Sequence, residues 1–179
     1  LADHLLKEVE GQGAEYRRDI LKKYRDFAAG SADLPLKDFR SRHSAATEAV
    51  GYGKTLMGFH MLRRAMGDEP FRQALRRFYK DYRGTRASFT DVRTAFEAVS
   101  GRNLGRFFEE WVDRTGAADL AVEGVKVKKA GKGYRVTGAL RQRQAGPYEL
   151  AVPVVVATAG GPVVVTVASR EALTPFSLE

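Results

Sequence analysis

The stretch Gly51-Tyr52-Gly53-Lys54-Thr55-Leu56-Met57-Gly58-Phe59-His60-Met61-Leu62-Arg63-Arg64-Ala65-Met66-Gly67 indicates how this chain folds. Five apolar or aromatic side chains recur at steps of three or four residues: Tyr52, Leu56, Phe59, Leu62 and Met66. That spacing is typical of one face of an α-helix. Met57, Met61 and Ala65 widen this face, so the stretch predicts a single helix inside a helical bundle.

Tyr52 lies at the predicted entrance of this helix, between Gly51 and Gly53. Glycine has no side chain, so the backbone can bend there or approach another group closely. A phenol at such a position suits catalytic chemistry and a core tyrosine equally well. The residues alone leave both interpretations open.

Further amphipathic patterns predict helices on both sides of the central one. Residues 1–10 predict a helix with four apolar side chains on one face: Leu1, Leu5, Leu6 and Val9. Another is predicted over residues 14–29, and one begins at Asp68, which we expect to be its N-cap. Ser88 and Asp91 have the spacing of a capping box before a helix that ends at Gly101. The pattern predicts a compact all-α array up to residue 117.

At Gly116 the sequence pattern changes from helical to alternating. Valine-rich runs follow, separated by Gly131-Lys132-Gly133, Gly146-Pro147 and Gly160-Gly161-Pro162. They predict at least four strands of one meandering antiparallel sheet, with a last strand near residues 174–178. We therefore expect an α+β multidomain protein, with a helical domain at 1–117 and a small antiparallel β-sandwich-like domain at 118–179.

Composition excludes several kinds of site. The 179 residues include no cysteine, which excludes disulfides, thiolate nucleophiles and thiolate metal ligands. His4, His43 and His60 are the only histidines, and no two of them have the spacing of metal ligands on one helix. We therefore predict no metal site and no bound cofactor in this chain. No apolar run is long enough to predict a membrane span.

The chain is basic, with a formal net charge of +8. The excess is spread over both predicted domains, +5 in residues 1–117 and +3 in residues 118–179, and acids are interleaved with it. A nucleic-acid-binding surface requires clustered basic residues, so we expect no nucleic-acid partner.

A serine nucleophile has one candidate setting, Ser41-Arg42-His43-Ser44. It lacks the strand–turn–helix context of a nucleophile elbow, and we interpret it as a polar loop. His60 lies on the polar strip of the central helix, where a bond to a neighbouring helix is the expected role.

An ordered set of motifs resembles the zinc aminopeptidases of the membrane alanyl aminopeptidase type, within the gluzincin group. The motifs are Gly-Tyr-x-Lys at 51–54, Leu-Arg-Arg-x-Met-Gly-Asp-Glu-Pro-Phe at 62–71, and Phe-Phe-x-x-Trp at 107–111. The valine-rich tail resembles the β-sandwich that follows the catalytic domain of that family. Thr55 departs from the small residue usual there.

The resemblance implies the function of a metallopeptidase. In that family a His-Glu-x-x-His helix and a later glutamate hold one zinc ion, which polarises a water molecule and the scissile carbonyl. A tyrosine donates its hydroxyl to the oxyanion of the tetrahedral intermediate. By position this catalytic tyrosine is Tyr52. A phenol keeps its proton at neutral pH and can therefore act as a donor.

The sequence contains no His-Glu-x-x-His motif. We expect the chain to be the C-terminal piece of a larger peptidase, with the zinc-binding part upstream and a peptide as the substrate of the whole protein. The piece alone would bind no catalytic zinc and hydrolyse nothing. The alternative is a non-catalytic basic module that binds a partner or serves as a scaffold. Composition leaves the compartment open between cytoplasm and periplasm.

Overall fold

The computed structural model describes residues 1–28, 30 and 32–179. The chain forms two compact units, Leu1–Gly116 and Ala117–Glu179. The described part of the first unit contains seven α-helices: α1 (Ala2–Val9), α2 (Gly13–Phe27), α3 (Ala45–Glu48), α4 (Thr55–Met66), α5 (Asp68–Tyr82), α6 (Phe89–Ser100) and α7 (Gly105–Phe108). It also contains a 3₁₀ turn at Leu36–Asp38 and π-helical segments at Ala49–Lys54 and Glu109–Asp113.

Glycine and a capping box set several helix ends. Gly101 ends α6 in the left-handed conformation, with φ of +65°. The carboxylate of Asp91 accepts hydrogen bonds from the backbone N–H and the hydroxyl of Ser88, which confirms the predicted capping box. The N-cap of α5 is Gly67 rather than the predicted Asp68. Asp68 instead accepts hydrogen bonds from Arg63, which lies on α4.

The core of the first unit is built around aromatic side chains from α4, α5 and α6. Phe59, Phe71 and Phe96 contact one another with ring centroids 5.6 to 6.3 Å apart. Phe71 and Phe96 are fully buried, and each such side chain contributes about 1.5–3 kcal/mol through burial. This cluster fixes α4, and α4 in turn fixes the segment that carries Tyr52.

The predicted helix α1 is present, but its apolar face is largely exposed. Leu5, Leu6 and Val9 are 37%, 59% and 86% exposed, whereas His4 on the other side of the helix is 1% exposed. The helix turns this polar side toward α2 and α4, where Arg17 and Arg63 pair with Glu8. The charged contacts, not the leucines, therefore orient α1. α2 ends at Phe27, and the predicted end at residue 29 lies outside the described residues.

The second unit contains five strands, which confirms the predicted antiparallel β structure. They are β1 (Leu120–Ala130), β2 (Gly133–Gln142), β3 (Leu150–Thr158), β4 (Gly161–Ser169) and β5 (Leu173–Leu178). The predicted single meander is wrong, because the strands form two antiparallel sheets, with orders β1-β2-β5 and β3-β4.

Both sheets contribute to one small apolar core in the second unit. Leu140, Val167, Phe176 and Leu178 are its buried members. Gln142 is also buried, and its amide bonds the backbone of Tyr148 and the hydroxyl of Ser169 at 2.9 to 3.0 Å. A satisfied buried amide of this kind links the ends of β2 and β4 to the loop before β3 without the cost of an unpaired polar group.

Candidate active site

The π-helical segment Ala49–Lys54 joins α3 to α4 and carries Tyr52. Val50 is fully buried on its inner side, whereas Tyr52 is 61% exposed on its outer side. The sequence pattern placed Tyr52 on the apolar face of the central helix, and the exposure of its side chain shows that this is wrong. The wider π-helical turn rotates the tyrosine away from the row formed by Leu56 and Leu62.

Close packing holds this segment in place. A Cβ atom on Gly51 would lie 2.2 Å from the ring of Phe39, so only glycine allows that ring to lie against the backbone. The ring of Phe39 also contacts the ring of Tyr52 edge to face, with centroids 5.9 Å apart. The hydroxyl of Thr55 donates to the carbonyl of Gly51 at 2.7 Å. Tyr52 therefore projects from a backbone that is ordered on both sides.

An open concavity lies in front of Tyr52. Its walls come from α1, α2 and α3, and charged side chains of both signs line it, among them Asp19, Lys23, Arg42 and Glu48. Its volume is about 1320 Å³, including space open to solvent. Among the described residues, none makes a hydrogen bond with the Tyr52 hydroxyl. The phenol is therefore free to donate to a group that enters this concavity.

Lys54 lies two residues after Tyr52 and points the opposite way. It is 5% exposed, and its ammonium donates to the backbone carbonyl of Arg114 at 2.8 Å. Burial lowers the pKa of Lys54, and the negative charge of Asp33 partly opposes this effect. The contact ties the tyrosine-bearing segment to the end of the helical unit.

Asp33 and Lys37 strengthen the same connection. The carboxylate of Asp33 accepts a hydrogen bond from the Tyr24 hydroxyl at 2.7 Å and another from the backbone N–H of Gly116. Lys37 forms an ion pair with Asp113 at 3.2 Å. Residues 113–116 are therefore held from three directions, and sequence reasoning did not identify this network.

Ser41 and His43 form a hydrogen bond of 2.7 Å, but both side chains are exposed. The backbone N–H of His43 donates to Thr47, whose hydroxyl also takes part in the cap of α3 with Ser44. These contacts are those of a helix-capping loop.

His4, Glu8 and His60 converge between α1 and α4, although no metal ligand was predicted from the sequence. One potential ligand atom from each lies within 4.8 Å of the others. The signal available in the sequence was the i, i+4 spacing of His4 and Glu8, which places both on one side of a helix. His60 joins them only through the packing of α4 against α1.

Comparisons with known proteins agree with the predicted relationship. The chain is 29% identical over 136 residues to the tricorn protease-interacting factor F2 of Thermoplasma acidophilum. The aligned region covers 76% of this chain and 16% of that protein. It is also 29% identical over 77 residues to aminopeptidase N of Lactococcus lactis, covering 43% of this chain and 9% of that protein. A scan against models of known protein families finds no match.

A solved structure supports the fold. The crystal structure of Legionella pneumophila aminopeptidase A in complex with aspartic acid matches 94% of this chain and 20% of its own length, with a TM-score of 0.57 and 18% sequence identity. The predicted resemblance to aminopeptidases is confirmed at the level of sequence similarity, and the solved structure agrees in fold.

The chain spans less than a fifth of the length of the two curated relatives described above. Together, the sequence and structure comparisons support an aminopeptidase origin and an α+β fold with antiparallel sheets. In the part of the chain that the structure describes, no helix is both long and apolar enough to cross a membrane.

Proposed function

We propose that this chain is part of a zinc aminopeptidase that hydrolyses N-terminal residues from peptides, and that Tyr52 stabilises the oxyanion. The observation that carries the proposal is the exposed Tyr52 at an open concavity, in an ordered segment of a chain related to aminopeptidases. Its Gly-Tyr-x-Lys motif at 51–54 is one of the ordered set of motifs that carry the family resemblance.

The proposed chemistry follows from the geometry of a fixed phenol. When water attacks a peptide carbonyl, negative charge develops on the carbonyl oxygen. A donor that is already in place stabilises that charge without reorganising in the transition state. Phe39, Gly51 and Thr55 fix the backbone around Tyr52, and its hydroxyl has no competing partner among the described residues.

The family's zinc motif is not part of these 179 residues, and the His4–Glu8–His60 group does not reproduce its spacing. The zinc of the proposed enzyme would be held by residues outside this sequence. This chain would supply the oxyanion donor and the wall of the substrate concavity. By itself the chain is expected to show no peptidase activity.

The test is Tyr52→Phe in the whole protein that contains this sequence. Loss of one oxyanion donor should lower kcat by about 100-fold or more, because the variant cannot donate to the oxygen. Zinc content should stay at the wild-type level, which separates the loss of a donor from the loss of the metal.

Tyr79→Phe is the matched control. Tyr79 is 64% exposed on α5, so its variant also removes one hydroxyl from an exposed tyrosine. Its kcat should match that of the wild type. Near-normal turnover by the Tyr52→Phe variant would show that Tyr52 does not take part in the mechanism. A wild-type whole protein that contains no zinc and has no peptidase activity would instead indicate a scaffold.

A further inference from the structure

His4, Glu8 and His60 form a compact group of potential metal ligands, named here the His4–Glu8–His60 cluster. His4 and Glu8 lie one turn apart on α1, and His60 reaches them from α4. The Oε1 atom of Glu8 lies 3.4 Å from Nε2 of His4 and 3.9 Å from Nδ1 of His60. Two nitrogens and one carboxylate oxygen at this separation can converge on a single ion, and this is a donor set that zinc accepts.

Burial in the cluster leaves ring nitrogens unsatisfied. His4 is 1% exposed, and the side chain of His60 is 16% exposed. Nδ1 of each ring is buried without a hydrogen-bond partner among the described residues. Buried polar atoms are normally bonded, and for His60 the unsatisfied atom is the one that faces Glu8. An ion bound there would satisfy it.

Burial and neighbouring charges shift the pKa of all three side chains. Burial lowers the pKa of His4, and it lowers the pKa of His60 to about 4 with help from the positive charges of Arg17 and His4. Burial alone would raise the pKa of Glu8, but the hydrogen bond and charge of Arg63 outweigh it and keep the pKa below its ordinary value. The proposed site rests on the separation of the three donor atoms and on the unpaired, buried ring nitrogen of His60.

Two arginines oppose the binding of a cation. Nη1 of Arg17 lies 2.8 Å from Nε2 of His4 and 3.1 Å from Oε1 of Glu8, and Arg63 also pairs with Glu8. An ion would have to displace Arg17 from both atoms. Each charge-assisted hydrogen bond lost in this way weakens binding by roughly ten- to a hundredfold. Arg17 is partly exposed and can turn toward solvent.

We propose that His4, Glu8 and His60 form a binding site for a divalent zinc-type metal ion, and that Arg17 competes with the ion for its ligands. The proposal goes beyond the peptidase function and does not depend on it. Removing the guanidinium of Arg17, which lies beside the ligands, should therefore strengthen binding of the ion.

The test titrates Zn²⁺ into the chelator-treated 179-residue chain by isothermal titration calorimetry, with Co²⁺ absorption as a second readout. One ion should bind per chain. His60→Ala should weaken binding at least about tenfold, since it removes one of three ligands. Arg17→Gln should tighten binding at least about tenfold, because a charged competitor is gone.

His43→Ala is the matched control, because His43 is an exposed histidine outside the cluster. Its affinity should equal that of the wild type. Circular dichroism checks folding, and Glu8→Gln replaces His60→Ala if that variant does not fold. No bound ion, or binding that survives His60→Ala, or weaker binding in Arg17→Gln would overturn the proposal. The zinc of the proposed peptidase would be held by a His-Glu-x-x-His motif that is not part of this sequence. Failure of the His4–Glu8–His60 cluster to bind an ion would therefore leave the proposed peptidase function intact.

Discussion

The outer and inner sides of the segment Ala49–Lys54 differ sharply within one turn. On the outer side Tyr52 is 61% exposed and faces an open concavity, whereas on the inner side Lys54 is 5% exposed and bonded to the carbonyl of Arg114. Residues two positions apart lie on roughly opposite sides of a helical turn, and here that separation divides a free donor, Tyr52, from an anchored one, Lys54.

This difference separates a residue that holds the fold from a residue that is available for chemistry. Lys54 stabilises the position of the segment through a buried contact, so changing it should affect folding. The ring of Tyr52 contacts the ring of Phe39, but its hydroxyl has no hydrogen-bond partner among the described residues, so removing the hydroxyl should affect chemistry and not folding. If both residues affected stability equally, the distinction between the two sides would be lost.

The largest effect on stability is expected for Gly51→Ala. A Cβ atom at this position would lie 2.2 Å from the ring of Phe39, so the ring must move away from the backbone. Overpacking of this kind costs about 1–3 kcal/mol of unfolding free energy. Chemical denaturation of the 179-residue chain measures the loss.

Gly58→Ala provides the control for Gly51→Ala. It lies on α4, and a Cβ there would meet no described atom within 4 Å. Alanine should stabilise the helix by about 0.5–1 kcal/mol relative to glycine. A stability loss in Gly58→Ala equal to that of Gly51→Ala would show that the ring of Phe39 is not the cause.

A smaller, pH-dependent effect is expected from Lys54. Because burial lowers its pKa in the folded chain, the unfolded state binds more protons between that lowered pKa and the ordinary value of 10.5. The stability of the wild type relative to Lys54→Met should therefore rise with pH in that range, by no more than about 1.4 kcal/mol per pH unit. Denaturation of both proteins at several pH values between neutrality and pH 10 measures this difference, and a difference that falls as the pH rises would contradict the burial of a charged ammonium.

The sequence predicted the features that depend on local chemistry. The capping box of Ser88 and Asp91, the end of α6 at Gly101, and the change to antiparallel strands after Gly116 were all recoverable from residue type and spacing. These features involve neighbours within a few residues, where backbone preferences decide the outcome.

The features that were missed depend on contacts between distant residues. The spacing of Tyr52 with Leu56 predicts one helical face only if every turn has 3.6 residues, and a π-helical turn breaks that rule. His60 joins Glu8 across 52 positions of sequence, which no pattern on one helix reveals. The two-sheet arrangement of the second unit likewise depends on β5 pairing with β2 instead of β4.

The central claim is that the Tyr52 hydroxyl binds the transition state and not the substrate. The most direct measurement is the inhibition constant of a phosphinic peptide, whose tetrahedral group mimics the intermediate, for the whole protein and its Tyr52→Phe variant. The account predicts that this constant rises about 100-fold in the variant, in parallel with the fall in kcat/KM. An unchanged inhibition constant in a variant with normal zinc content would contradict it.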